Sequence, residues 1–454
     1  MNEHSLTERC ADYVLSVRYE DLPEDVVRMA KLCVIDLFGC IVGAAKTPEA
    51  DIINNLVREE GSGKQATMLG LWEKTSMLNA SLANGYTGHI YEMDDVYTAA
   101  SMHPGLPVIP AAVAVAEHLN KSGKELIEAI VAGYEIVTRV GECVFPSHYE
   151  KWHTTATCGT FGATAAAGKL LGLTREQLVW AFGSAGSQAS GVWQFSDDDA
   201  MTKYLHCGKA NYNGLLSALL AAKGLTGARR ILEGDRGFVK AASRETNPEK
   251  AFVGLGDGTY RIMKTGIKPY PSCGHSHTSV GAALNLYQTH KFKPEAIDRV
   301  LVKTNATSLR IASKNSETVS GSREAKFSLR FCVAAALYHG SVDNRTIGDE
   351  CIFEPKFLEF VKKVEVGEDA ALTAKYPELT TGVVTVVSGG KEYTERVDYS
   401  KGDPKSPFTD QEMYDKYISQ ARMAIPEQPA KELLERCKKL ETFAGLKTLF
   451  DGLA

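Results

Sequence analysis

No stretch of this 454-residue chain stays apolar for the roughly 18 residues a membrane-spanning helix needs. Gly, Pro or a charged side chain interrupts every apolar run first, so no membrane segment is expected. The first residues, Met1 to Arg9, are polar and lack the apolar core of a secretory signal. Positive charge is in short supply. Lys plus Arg number 51 against 56 Asp plus Glu, a net charge of -5, which excludes a chain-wide nucleic-acid footprint. The ten cysteines contain no Cys-x-x-Cys pair, and several, such as Cys33, Cys40 and Cys332, sit in apolar runs. That spacing excludes a disulfide framework and a structural zinc site, and the reading is a reduced, cytoplasmic protein. No strand, Gly-rich loop and helix open the chain, which excludes a dinucleotide-binding start. Gly254-Leu255-Gly256-Asp257-Gly258 lacks the Lys-Ser/Thr of a phosphate loop and reads as an ordinary loop. A Gly-x-Ser-x-Gly nucleophile elbow is also missing.

What is present is an ample core. The chain is 44% hydrophobic, which excludes disorder as its main state, and its length implies two domains or three. The first two-thirds reads as helices. Ser5-x-x-Glu8 and Thr174-x-x-Gln177 are capping boxes, and Pro23 followed by Glu24 and Asp25 opens another helix at its N1 position. Val26 to Val42, Leu106 to Val144 (broken at Lys121-Ser122-Gly123), Cys158 to Leu171 and Lys209 to Lys223 continue the pattern, and Thr226 to Glu233 is expected to start one more. Beyond Gly256-Asp257-Gly258 the period changes. Arg299 to Thr304 and Val361 to Val366 alternate like strands, and Gly382 to Val387, Ser388-Gly389-Gly390 and Glu392 to Tyr399 form a hairpin signal. Phe327 to His339 reads as a helix between them. Helices return after Asp403-Pro404, with a capping box at Thr409-x-x-Glu412 and an amphipathic run from Pro429 to Leu440. These last helices are too short to bury a core alone and are expected to rejoin the first domain.

Four polar segments interrupt this apolar background. Gly88-His89-Ile90-Tyr91-Glu92-Met93-Asp94-Asp95, followed by Ser101-Met102-His103-Pro104-Gly105, brings three carboxylates within four residues. They form either a solvated loop or a site that holds cations. His148-Tyr149-Glu150-Lys151-Trp152-His153 stands at the mouth of the small-residue helix, where a His serves as an acid or base or simply packs. Asp197-Asp198-Asp199 leads into Lys203, His206 and Lys209, which share nearly one face if helical and would bind carboxylates; a surface turn is the plain alternative. Lys268-Pro269-Tyr270-Pro271-Ser272-Cys273-Gly274-His275-Ser276-His277 lies at the apparent domain boundary, where ligands are usual. His275-x-His277 lacks a clear third ligand, so no metal is expected.

Together these segments resemble the MmgE/PrpD family over almost the whole chain. The resemblance is carried by Asn84-Gly85 through His103-Pro104-Gly105, by His153 with Cys158-Gly159-x-Phe161-Gly162, and by Thr202-Lys203-x-Leu205-His206-x-Gly208. Lys268-Pro269-Tyr270-Pro271-Ser272-Cys273 adds to it, with Lys326 to Leu329 and Gly402-Asp403-Pro404 as lesser marks. Their order and spacing are more specific than any one motif.

The resemblance implies a mainly α fold: a large all-helical domain built from both chain ends (1–266 and 404–454) and a smaller α+β lid domain (267–403). It further implies a site in the cleft between them, a homodimer, and no metal or organic cofactor. Members act on small di- or tricarboxylates by moving a proton next to a carboxylate. Matched to the family's site, His103, His153, Lys203 and Lys268 are the catalytic candidates, the lysines as carboxylate clamps and the histidines as proton carriers. Glu92, Asp94, Tyr149, His206, Cys273, His277 and Arg330 are the substrate-binding candidates.

The reaction implied first is that of a cofactor-independent lyase of the 2-methylcitrate dehydratase type. Epimerisation of an amino or imino dicarboxylate, as in iminodisuccinate epimerase, comes next. Decarboxylation of a cis-aconitate-like acid follows, and a non-catalytic relative on the same fold is the rival of another class. The chain departs from the family pattern at Glu92 and Val96, where Asp and Thr are usual. It also departs in one extra residue before His103 relative to cis-aconitate decarboxylase, and at Arg330-Phe331. The longer Glu and the lost hydroxyl weigh against a tricarboxylate pose and favour the epimerase rival.

Overall fold

The computed structural model describes residues 5–61, 63–198, 200–312, 318–376 and 378–453; Met1 to His4 and Asp199 of the acidic run lie outside them. The protein is 58% helix and 9% strand, a mainly α fold. It divides into two compact units. The larger comprises 1–90, 94–265 and 409–454, and the smaller comprises 91–93 and 266–408.

The larger unit is built around the helix Thr154–Leu170, in which every residue except Lys169 is buried. Its sequence explains this, because Gly and Ala on all sides let three helices approach closely. Those three are Gly105–His118, Gly123–Val144 and Thr202–Ala222. The capping boxes at Ser5, Thr174 and Thr409 are formed as read, each with its reciprocal pair of bonds, and Ser122 adds another. The chain's end returns to this unit. Asp410–Ala421 packs on Glu24–Ala44, where Lys416 pairs with buried Asp36.

Three expectations need correction. Pro23 sits one position before the helix Glu24–Ala44 rather than inside it. Thr226 to Glu233 is not helical but a run of turns. There Gly227 lies so close to the Trp180 carbonyl that a Cβ would stand 2.1 Å from it, so packing against the neighbouring helix overrides the local pattern. The larger unit is also not wholly helical, since Ala66–Met68 and Glu73–Thr75 pair as a short antiparallel hairpin.

One long-range contact fixes two helices that matter below. Pro110 sits inside Gly105–His118 and has no N–H to give the Leu106 carbonyl four residues back. Asn211, on Thr202–Ala222, fills the gap. Its Nδ2 donates to Leu106 O at 2.6 Å, and its Oδ1 accepts from Ala111 N at 3.0 Å.

The smaller unit is a four-stranded sheet in the order Val364–Glu368, Ile297–Thr304, Gly382–Ser388, Lys391–Val397. The first pair is parallel and the others antiparallel. Val384 and Val386 alternate inward as a half-buried strand requires. The hairpin turns at Gly389 and Gly390, both with positive φ (58° and 73°), the geometry a two-residue primed turn demands. Helices His277–His290 and Leu329–His339 pack into the same core, with Phe357, Phe360 and Val361 of Pro355–Val361. The strand expected at Val361 begins later, at Val364, because Pro355–Val361 is still helical.

Candidate active site

In the larger unit, six titratable side chains converge from four short segments. His89 follows the helix Met77–Thr87, and Asp94 lies five residues on. His103 precedes Gly105–His118, with Pro104 at the cap position. His153 occupies the N-cap position of Thr154–Leu170, and Lys203 and His206 lie one turn apart at the start of Thr202–Ala222. Backbone bonds hold the loops: His103 N donates to Thr155 Oγ1 (3.0 Å) and His153 N to Gly191 O (2.9 Å).

The four imidazoles form one cluster. Ring centroids are 4.8 Å apart for His89 and His103, 6.4 Å for His103 and His153, and 5.5 Å for His153 and His206. Asp94 lies fully buried between two of them. His89 Nδ1 is 2.8 Å from its Oδ1, and His103 Nδ1 is 2.9 Å from its Oδ2. His103 Nδ1 is also 2.8 Å from the Asp95 carbonyl oxygen. Its side chain is 12% accessible, so the ring spans from this buried pair towards open space.

The charges are sorted sharply. Burial by itself would raise the Asp94 carboxyl, but the adjoining His89 and His103 overcome it and hold Asp94 well below the usual carboxylate range. Burial drives Asp95 the other way, to about 8, with Asp94 adding to the rise. The Tyr134 hydroxyl and the Gly105 N–H, which donate to Asp95 at 2.7 and 2.9 Å, only partly oppose it. Gly105 is required for that contact, because a Cβ there would stand 2.6 Å from the Tyr134 oxygen and 2.9 Å from Asp95. Burial first, then Lys203 and the neighbouring imidazoles, push His153 well below its usual value. Burial, His89 and Lys203 lower His206 to about 4. His153 and His206 are therefore neutral imidazoles beside a buried amine, an arrangement suited to receiving an anion and moving a proton.

Tyr149 stands at one remove. Its ring meets Trp193 edge-on at 4.9 Å, and Trp193 lies 5.1 Å from His153. His148 resolves as a packing residue, with both nitrogens engaged by Ala242 O and Thr157 Oγ1 at 2.8 Å.

The smaller unit carries the other candidates. Lys268 is buried, with Nζ 3.1 Å from both the carbonyl and Oε2 of Glu92. Glu92 has φ 57°, a left-handed conformation uncommon outside glycine, which turns both of its oxygens to one amine. Lys326 lies 5.3 Å over the Tyr91 ring. Cys273 is a buried thiol whose N–H donates to Lys326 O (2.9 Å), and His277 Nε2 is 3.1 Å from Ser272 O. His275 takes another partner, Ser308 Oγ, at 3.3 Å. Arg330 is half-buried near the start of Leu329–His339, and its charge reaches Glu365 on the neighbouring strand.

Sequence reasoning assigned no role to His89 or Asp95. His89 was visible as a histidine heading the acidic loop. The partners of Asp95, ten and 39 residues away, leave no local trace. Among the described residues, His89, Asp94 and His103 form the only grouping whose ligand atoms, within 4.8 Å of one another, have the makings of a metal site. All ten cysteines are free thiols. Among the described residues no helix is long and apolar enough to cross a membrane.

A mainly helical unit with a buried histidine, lysine and carboxylate cluster, in a chain that also carries a small mixed-sheet unit, belongs to a defined class. Residues 8–251 match the MmgE/PrpD N-terminal domain and residues 270–441 the MmgE/PrpD C-terminal domain. The chain belongs to the MmgE/PrpD family. Among its curated relatives is cis-aconitate decarboxylase of Aspergillus terreus, 25% identical over 99% of this chain and 96% of the relative. The cis-aconitate decarboxylases of Mus musculus and Homo sapiens are each 24% identical, over 98% and 99% of this chain and 92% and 95% of their own lengths.

Proposed function

We propose that this protein is a cofactor-independent lyase that acts on a small di- or tricarboxylate by proton transfer at the carbon next to a carboxylate, in the manner of 2-methylcitrate dehydratase. The observation that carries this reading is His103. Carboxylate and carbonyl oxygens only accept, so the Nδ1 between Asp94 and the Asp95 carbonyl holds the ring proton. The neutral ring then has its lone pair on Nε2, ready to take a proton. Lys203 supplies positive charge to the substrate's carboxylate as the carbanion develops. His153, held neutral, donates or accepts the second proton. His206 borders it, with the two Nδ1 atoms 3.3 Å apart. The names of the relatives bring decarboxylation of cis-aconitate within the same chemistry, since it too ends with a proton placed beside a carboxylate.

Epimerisation is favoured by one specific observation. His103 and His153 are two imidazoles side by side, ring centroids 6.4 Å apart and planes at 68°, the pair of proton carriers that inversion at one carbon needs. The free thiols support a cytoplasmic setting. The family resemblance supports a homodimer, which a sedimentation run showing monomer at micromolar concentration would refute.

Proton NMR in D₂O with methylcitrate, citrate, cis-aconitate and iminodisuccinate tests the reading. A new alkene signal from methylcitrate or citrate is expected. Exchange of an α-proton with no new compound class would replace lyase by epimerase, and no change with any acid would refute both. Chelator treatment is expected to leave the rate intact; loss restored by a divalent ion would overturn the cofactor-independent assignment.

A further inference from the structure

We propose that His89 is a positioning residue that works through Asp94 to keep the His103 ring in one tautomer and one orientation. The inference rests on the reading of His103 as a proton carrier, but its test is separable from that reading.

His89 is fully buried, edge-on to the His103 ring and bonded to the other oxygen of Asp94. The geometry assigns the protons. His89 Nδ1 faces Asp94 Oδ1, which only accepts, so it is the donor there. His103 Nδ1 gives its hydrogen bond to the Asp95 carbonyl and stands 2.9 Å from Asp94 Oδ2 as an ion-pair contact. A carboxylate held at Oδ1 by a buried ring keeps Oδ2 against His103 Nδ1. His103 Nδ1 thus meets two fixed acceptors, Asp94 Oδ2 and the Asp95 carbonyl, and its proton has no alternative place. With the His89 donor removed, Oδ1 becomes a buried, unpaired acceptor. Asp94 then gains by turning toward whatever donor remains, and that donor is His103. The ring follows, and Nε2 loses its fixed direction. On this account Asp94 orients the base rather than touching the substrate, and His89 is the third member of a His–Asp–His chain.

The test uses three variants and two readouts. His89→Asn keeps a donor near the place of Nδ1. His89→Gln keeps bulk and polarity but moves the donor away, and His89→Leu removes it. The first readout is the ¹⁵N ring spectrum of His103 in the full-length protein, in chelator-treated buffer without substrate. The second is turnover of whichever acid the protein accepts.

The expected result is a wild-type His103 with protonated Nδ1 and bare Nε2. His89→Gln and His89→Leu give mixed tautomers, and kcat falls about tenfold to a hundredfold, the usual cost of a partner one step from a working imidazole, while KM changes little. His89→Asn restores both towards wild type. A wild-type spectrum already mixed between tautomers would overturn the proposal. So would three variants indistinguishable in spectrum and kcat at equal melting temperature. If His89→Leu does not fold, the Asn and Gln pair decides alone. If no acid is turned over, the functional reading fails, and the spectra still decide this one.

Discussion

Asp94 and Asp95 are neighbours in sequence, both buried, and chemically opposite. Asp94 faces two imidazoles and is held as an anion. Asp95 faces a hydroxyl and a backbone N–H, neither of which carries charge, and its carboxyl rises to about 8. Burial is the same in kind for both. The partners decide which carboxylate keeps its charge, and so which serves the site and which ties the Gly105–His118 helix to Tyr134. Like charges side by side reinforce the split, because an anion at Asp94 makes a second one at Asp95 costlier.

Substitutions can break this comparison in order of size. The largest effect is expected at the positive end of the cluster. Lys203→Ala should lower kcat/KM by about a thousandfold or more with the fold intact, read by turnover and thermal melting together. A non-catalytic relative would show nothing beyond a change in stability. Next comes the pair itself. Asp94→Asn replaces one acceptor oxygen with a donor facing an imidazole N–H, and the rate should drop by about a hundredfold or more. Asp95→Asn mimics a carboxyl that is already neutral, so its rate should fall far less. Equal losses from the two would erase the distinction drawn here.

A smaller effect is expected from Asp95→Ala. It strands the Tyr134 hydroxyl and the Gly105 N–H, at a cost of about 1–3 kcal/mol in urea unfolding. The smallest effect concerns pH. A raised carboxyl means that the folded state holds a proton the unfolded state releases, so Asp95 contributes stability at low pH that is lost as pH rises through about 8. Relative to the parent, Asp95→Asn should therefore gain about 1 kcal/mol or more between pH 5 and 8. The depressed histidines act in the opposite sense. His148 and His206, both lowered to about 4 by burial, cost stability as pH falls from about 6.5 towards 4, and Asp94 adds its own loss only below about pH 4. A parent whose stability rises steadily from pH 4 to 8, with no difference in the Asn variant, would argue against a neutral Asp95.

Features coded within one turn were legible in the sequence. The capping boxes at Ser5, Thr174 and Thr409 and the Gly389-Gly390 hairpin need only neighbours three residues apart, and all are formed. So was the mainly α character, because the Gly- and Ala-rich run around Phe161 makes sense only as a helix enclosed by others. Legibility ended where contacts span the chain. Thr226 to Glu233 follows a helical pattern locally, but close packing on Trp180 keeps it in turns. The motif residues His103, His153 and His206 come together as rings, yet nothing local distinguishes His153, in that cluster, from His148, five residues earlier and fully satisfied elsewhere. The different fates of Asp94 and Asp95 were invisible for the same reason, since their partners lie up to 39 residues away.

Asn211 has a consequence of a mechanical kind. Its amide is a two-pronged key seated in the notch that Pro110 cuts in a neighbouring helix. A key in a notch prevents sliding. Lys203 lies eight residues before Asn211 on one rod, about 12 Å along its axis, and His103 lies just ahead of the other rod. The amine and the imidazole are thus indexed to each other by a fastener that is neither of them. Two rods locked in this way can tilt or flex together, but neither can advance past the other by a turn, and the spacing of the reactive ends is built into the scaffold.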